Sequence, residues 1–249
     1  MLLYFVCVSI EKEIAMNDDD AFLNYIIENP DDDTARLIYA DFLEDSSDPV
    51  RRARGEFIRV QIELTMKLKP KREAELRQQE TELLAQYRRK WNGWMHQRTS
   101  RGVLKHQFAS RRALVRNWEY RRGFIASLRI YAPNYRDHAE VLRSIGPIER
   151  IEFVGAARVV PQWRNLPHLK GIRELSFYQC LLNQEDINAL ASLPGVRELQ
   201  LLDLRHNAGL LMNARWDPTA RRRVVPAIDR LRELITSGQF PKNTLNEFL

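Results

Sequence analysis

The chain has 249 residues, 44% hydrophobic and 29% charged, with a formal net charge of +6. No apolar run approaches the ~20 residues that a membrane-spanning helix needs, which excludes an integral membrane protein of the helical kind. Only two cysteines occur, Cys7 and Cys180, too few for a disulfide scaffold, and that usage points to a reducing, cytoplasmic compartment.

The first ten residues, MLLYFVCVSI, are apolar but lack a basic leader and run straight into Glu11, Lys12 and Glu13. Residues 1–15 are therefore expected to be an extension outside the fold, with an edge strand or a cleaved leader as the alternatives. Met16, Asn17 and the aspartates that follow suit a helix start, because such residues cap and complement a helix N-terminus. Three short helices are expected within 16–66. Phe22, Tyr25 and Ile26 give the first its apolar face, and Asn29 with Pro30 stops it. Asp31, Asp32, Asp33 and Thr34 then cap a second helix, whose Ile38 and Phe42 should face the first. A turn at Ser46 to Pro49 leads to a third, with Phe57, Val60, Gln61 and Leu64 on one side.

These residues carry a family resemblance. The run AFLNYIIENPDDDTARLIYADFLEDSSDP, followed by RGEFIRVQIEL, resembles the bacterial repeat-companion domain, found mainly in planctomycetes as an N-terminal module ahead of leucine-rich repeats, with Phe42 where tryptophan is more usual. The resemblance runs on, more weakly, through WEYRRGFIASLRI, covering most of residues 19–207. It implies a helical module followed by repeats, and a domain start near Met16. It implies no activity.

Residues 67–120 should form a long helix and a basic connector. Glu73 to Trp94 spaces Leu76, Leu83, Leu84, Tyr87 and Trp91 as one apolar stripe. From Asn92 to Tyr120 the periodicity is lost. Charge is uneven here: residues 1–66 hold 15 acidic and 6 basic side chains, whereas 67–130 hold 17 basic and 5 acidic. Such a dipole can steer an acidic partner, or simply draw the two segments together on folding. Arg98, Arg101, Lys105, Arg111, Arg112 and Arg116 interleave with Trp94, Phe108 and Trp118, the mixture that a single-stranded nucleic acid groove needs, since cations neutralise phosphate and rings stack bases. No RNP, zinc-finger or helix-turn-helix signature accompanies them, and a solvated loop with docked aromatics is the simpler reading.

Residues 121–210 repeat. At an offset of 24, Leu142, Leu166 and Leu190 coincide, as do Ile145, Leu169 and Leu193, then Ile148, Ile172 and Val196, then Ile151, Leu175 and Leu199, and finally Phe153, Phe177 and Leu201. Pro147, Gly171 and Gly195 mark the connection at each crossing. The middle copy, IRELSFYQCLL, fits the leucine-rich-repeat template with Cys180 in its asparagine-or-cysteine position. Leu175 and Phe177 should point inward and Glu174 and Ser176 outward, with a helix following Asn183. A weaker copy, GFIASLRI, lies 23 residues upstream. The last copy has two frames, because Leu202, Leu204 and Asn207 fit the template as well as Leu199 and Leu201 do.

In residues 211–249, Asp217 and Pro218 should open a capping helix that Gly238 closes, with Leu231, Leu234 and Ile235 covering the end of the array and Arg221, Arg222 and Arg223 in solvent. The expected fold is α+β: a helical module, then a solenoid of about four strand-helix units, then a cap. Catalysis is not expected. The chain lacks GxSxG, HExxH, P-loop and GxGxxG motifs, its histidines show no metal-ligand spacing, and the aspartate triplet suits capping better than a metal or cofactor. The expected role is protein binding by the outward strand positions Ser127, Arg129, Arg150, Glu152, Glu174, Ser176, Glu198 and Gln200. Nucleic-acid binding through 67–130 is the alternative.

Overall fold

The computed structural model describes residues 18–98, 115–163, 169, 171–207 and 230–245, with side chains of the long helix described as far as Trp91. The fold is α+β, with seven α-helices and a six-stranded sheet among these residues. The chain divides into two compact units. One comprises residues 1–101, 120–125 and 144–147, and the other 102–119, 126–143 and 148–249. None of the described helices is long and apolar enough to cross a membrane.

The first unit contains α1 (18–28), α2 (Asp33–Glu44), α3 (Pro49–Glu63) and α4 (Pro70–Arg98). Asp32 caps α2, its carboxylate accepting from the backbone N–H groups of Thr34 and Ala35. Asp48 caps α3 in the same way through Val50, with Pro49 at the first helical position. The expected helix faces need rotation. Tyr25 is 50% and Ile38 54% exposed, whereas Leu23, Ile26, Ala35, Tyr39, Ala40 and Leu43 are buried. Phe42 does meet α1, its ring centroid 5.4 Å from that of Phe22.

The reason for the rotation is Arg36, almost fully buried in α2. Its guanidinium donates to the Asp32 carbonyl at 3.0 Å and lies 5.7 Å from the Phe124 ring centroid, so a charged residue occupies a position on the buried face. The faces of α3 and α4 agree with expectation: Phe57, Val60, Gln61, Leu76, Leu83 and Trp91 are buried, and the indole of Trp91 donates to the Val50 carbonyl at 3.1 Å.

Two strands form where only one is expected. Val115 to Arg121 is β1, and Arg122 and Gly123, both with positive φ, turn it into β2 (Phe124–Tyr131). Positive φ at both turn residues is the signature of a two-residue antiparallel hairpin. The turn belongs to the helical unit, where Gln61 accepts from the Gly123 N–H at 2.7 Å and donates to Glu80 at 2.7 Å.

In the second unit β2 is followed by α5 (Ala139–Arg143), β3 (Arg150–Val154), β4 (Glu174–Ser176), α6 (Gln184–Ala191), β5 (Leu201–Asp203), α7 (230–236) and β6 (Thr244–Leu245). Strands β2 to β6 pair in chain order, each parallel to the next. The register advances from Ser127 to Arg150 to Glu174 to Leu201, steps of 23, 24 and 27 residues. The last step departs from the 24-residue offset. Its extra three residues are taken up by a 3-10 turn, Val196–Glu198, entered through Gly195 at φ 85°.

Beyond that turn the pairing resumes in phase. The Arg173 and Glu174 N–H groups both donate to the Glu149 carbonyl, and the Gln200 and Leu201 N–H groups both donate to the Arg173 carbonyl. Leu202 and Leu204, not Leu199 and Leu201, therefore stand in the positions of Leu175 and Phe177. Inward residues Ile151, Phe153, Leu175, Phe177, Leu202 and Leu204 are all buried, and Leu231 and Leu234 of α7 are buried too. Arg221, Arg222 and Arg223, with the expected start of the capping helix, lie outside the described residues.

Candidate interaction surface

The side chains opposite that inward set make two rows across the sheet. One runs Ser127, Arg150, Glu174, Leu201, and the other Arg129, Glu152, Ser176, Asp203, Leu245. Directly opposed residues on parallel strands can reach one another, and here the charges are matched. Arg129 bonds Glu152 at 3.2 Å, and Arg150 lies 3.8 Å from Glu174. Asp203 accepts from its near neighbour Arg205, Nε to Oδ1 and Nη2 to Oδ2, both at 2.9 Å. Burial works to raise the Asp203 pKa, but the Arg205 hydrogen bonds and the charges of Arg205 and Arg150 outweigh it and hold the carboxyl below its ordinary range.

Five of the expected positions, Arg129, Arg150, Glu152, Glu174 and Ser127, therefore stand together on the outward face. Ser176 shares the register but is buried. Glu198 and Gln200 do not belong to it. Glu198 lies in the 3-10 turn, and Gln200 precedes β5, so the three-residue shift gives their places to Leu201 and Asp203. The charges on this face largely cancel, because each carboxylate lies against an arginine.

The strand ends are fixed by buried polar groups. Asn183 and Asp186 form a reciprocal capping box at the start of α6, and Asp186 Oδ2 also accepts from the Arg158 N–H at 3.0 Å. Gly155, Gln179 and His206 stand at the same offsets as the strands and all have positive φ, so β3, β4 and β5 leave through the same left-handed turn. Leu181, just past the Gln179 turn, is 56% exposed.

Of the nucleic-acid alternative, Arg101, Lys105, Arg111 and Arg112 lie outside the described residues, as does the side chain of Arg98 at the end of α4. Trp118 sits on β1 and is half-buried. Among the described residues no group of three or more His, Cys, Asp or Glu side chains is placed to hold a metal ion. No family model matches the chain, and neither a curated protein nor a solved structure matches it.

Proposed function

We propose that residues 121–210 are a short leucine-rich-repeat array and that the protein is a non-catalytic scaffold binding a protein partner on the outward strand face. The observation that carries this reading is the shared carbonyl at Glu149 and again at Arg173, the same backbone arrangement at successive strands despite a change of spacing. A repeated unit that cannot bury its own apolar face must stack on its neighbours, and stacking leaves one strand face free for contact. The helical unit, with its resemblance to the repeat-companion domain, is then the module that precedes the repeats.

A face of matched ion pairs selects by pattern rather than by net charge, since like-charge juxtaposition in a wrong partner is costly. The test exchanges one pair. Arg150→Glu combined with Glu174→Arg keeps an internal ion pair and the fold, but inverts what a partner meets. Co-purification from cells that natively make the protein, with and without nuclease, identifies the partner by mass spectrometry. The exchange should abolish its capture while the melting temperature is unchanged. Undiminished capture by the folded exchange variant would sink the reading, and a partner released by nuclease would transfer binding to the basic segment.

A further inference from the structure

The helical unit encloses a cavity of about 440 Å³, within the roughly 300–1,000 Å³ span of small-molecule sites. Buried Tyr39, Leu43, Trp91 and Phe124 supply apolar wall, and exposed Asp48 and Lys90 lie at its edge. Both of its carboxylates are engaged. Asp19, itself buried, accepts from the Tyr39 hydroxyl at 3.0 Å and from both terminal nitrogens of Arg51. Asp48 accepts from the Val50 N–H as the cap of α3. The charge of Arg51 is thereby matched.

Arg54 has no such match. Its guanidinium carbon lies 5.1 Å from the Trp91 ring centroid, 5.2 Å from that of Tyr120 and 5.6 Å from those of Phe57 and Phe124. The side chain as a whole is only partly buried, yet its Nη1 is shielded from solvent and has no hydrogen-bond acceptor. No carboxylate among the described residues forms an ion pair with it. Burial pushes its pKa down, and the electrostatic influence of Tyr120 and Tyr39 together with a side-chain hydrogen bond to Tyr120 recovers only part of the loss. A desolvated guanidinium with one donor unpaired is chemistry that an anionic acceptor would satisfy.

We propose that this cavity binds a small organic monocarboxylate with an apolar body, the carboxylate meeting Arg54 and the body packing on Leu43, Val50 and Trp91. The neighbouring carboxylates Asp19 and Asp48 restrict the ligand to a single negative charge, since a dianion such as phosphate would face both. The apolar walls reward a hydrocarbon body that phosphate lacks. The site lies wholly within the helical unit, so it stands or falls independently of the strand face.

Isothermal titration of the full chain with 3-phenylpropionate, its neutral amide and inorganic phosphate tests the assignment. The acid should bind about tenfold or more tightly than the amide, the ratio expected of a hydrogen bond to a charged group, and phosphate should bind more weakly than the acid. Arg54→Met should remove the preference for acid over amide, with a melting curve showing that the variant is folded. Should that variant unfold, the comparison of acid with amide on the unaltered protein decides. Equal affinities for acid and amide, no heat from either, phosphate binding as tightly as the acid, or a folded Arg54→Met that keeps the preference would each overturn the proposal.

Discussion

The side-chain amide of Asn207 clasps the backbone of Cys180, 27 residues earlier, with its Oδ1 accepting from the Cys180 N–H at 3.1 Å. The same oxygen takes the Leu182 N–H at 3.1 Å, while Nδ2 donates to the carbonyls of Phe177 and Leu204, each at 2.8 Å. Asn207 is fully buried. The Cys180 N–H and the Phe177 carbonyl also bond each other at 3.3 Å, so the Leu182 N–H and the Leu204 carbonyl are the groups that lose most without Asn207, at a place water does not reach, and each such loss costs about 1–3 kcal/mol. Asn207→Leu should therefore destabilise the protein by at least about 2 kcal/mol, measured as a lowered urea midpoint at unchanged slope. A variant as stable as the parent would mean that the clasp contributes nothing.

Cys180 itself holds the equivalent place one strand earlier, donating its thiol hydrogen to the Phe153 carbonyl at 3.1 Å. Burial raises its pKa, against a smaller lowering by the Ala156 and Gly155 backbones. Little thiolate is then present at neutral pH, and the thiolate is the reactive species. In a Cys7→Ser background the native protein should resist a disulfide-exchange reagent at pH 8 and react fully once unfolded in urea. Rapid labelling of the folded protein would contradict this placement of the thiol.

Two glycines with nearly the same backbone angle separate strain from collision. Gly123 and Gly171 have φ of 83° and 86°. A Cβ on Gly171 would meet nothing within 4 Å among the described residues, whereas on Gly123 it would collide with Ile58 Cγ1 and stand 2.8 Å from Ile58 Cα. Gly171→Ala should cost about 1 kcal/mol, the penalty of a left-handed alanine alone. Gly123→Ala should cost at least about 3 kcal/mol, because α3 and the hairpin turn must also separate. Chemical denaturation of the two variants side by side checks the difference, and equal losses would remove the steric argument.

Much of this architecture can be read in the residues, and the misreadings have identifiable causes. Asn29, Pro30, Asp32 and Asp48 announce helix ends through capping chemistry that needs no tertiary context. Ile38 and Phe42 form a plausible stripe until Arg36 is seen buried beside Phe124, since a pattern of apolar residues cannot score a guanidinium as inward-facing. In β1, half-buried Arg116, Trp118 and Tyr120 alternate with exposed Asn117, Glu119 and Arg121, a period of two hidden because both sides carry charge. The segment Leu199 to Leu204 presents leucines in either frame. Only the buried hydrogen bonds of Asn207 and the 3-10 turn at Val196–Glu198 choose between them, and the shift moves Glu198 and Gln200 off the outward face.

The same shift places Asp203 on that face, where Arg205 binds it, and this pair gives the acid limb of stability a specific contributor. Asp203 has a folded pKa below its unfolded one, so it binds fewer protons when folded at mildly acidic pH. The stability it contributes is complete above the ordinary aspartate range and is lost as pH falls through the lower folded value. Arg205 is about half exposed, 47% for its side chain, so solvent screens the pair and the contribution is modest. Asp203→Asn should therefore lower stability at pH 7 and make progressively less difference as acidification protonates the native carboxyl. Urea midpoints of the two proteins should converge on acidification. Midpoints that stay apart by a constant amount at every pH would show that the substitution acts through packing and not through the charge.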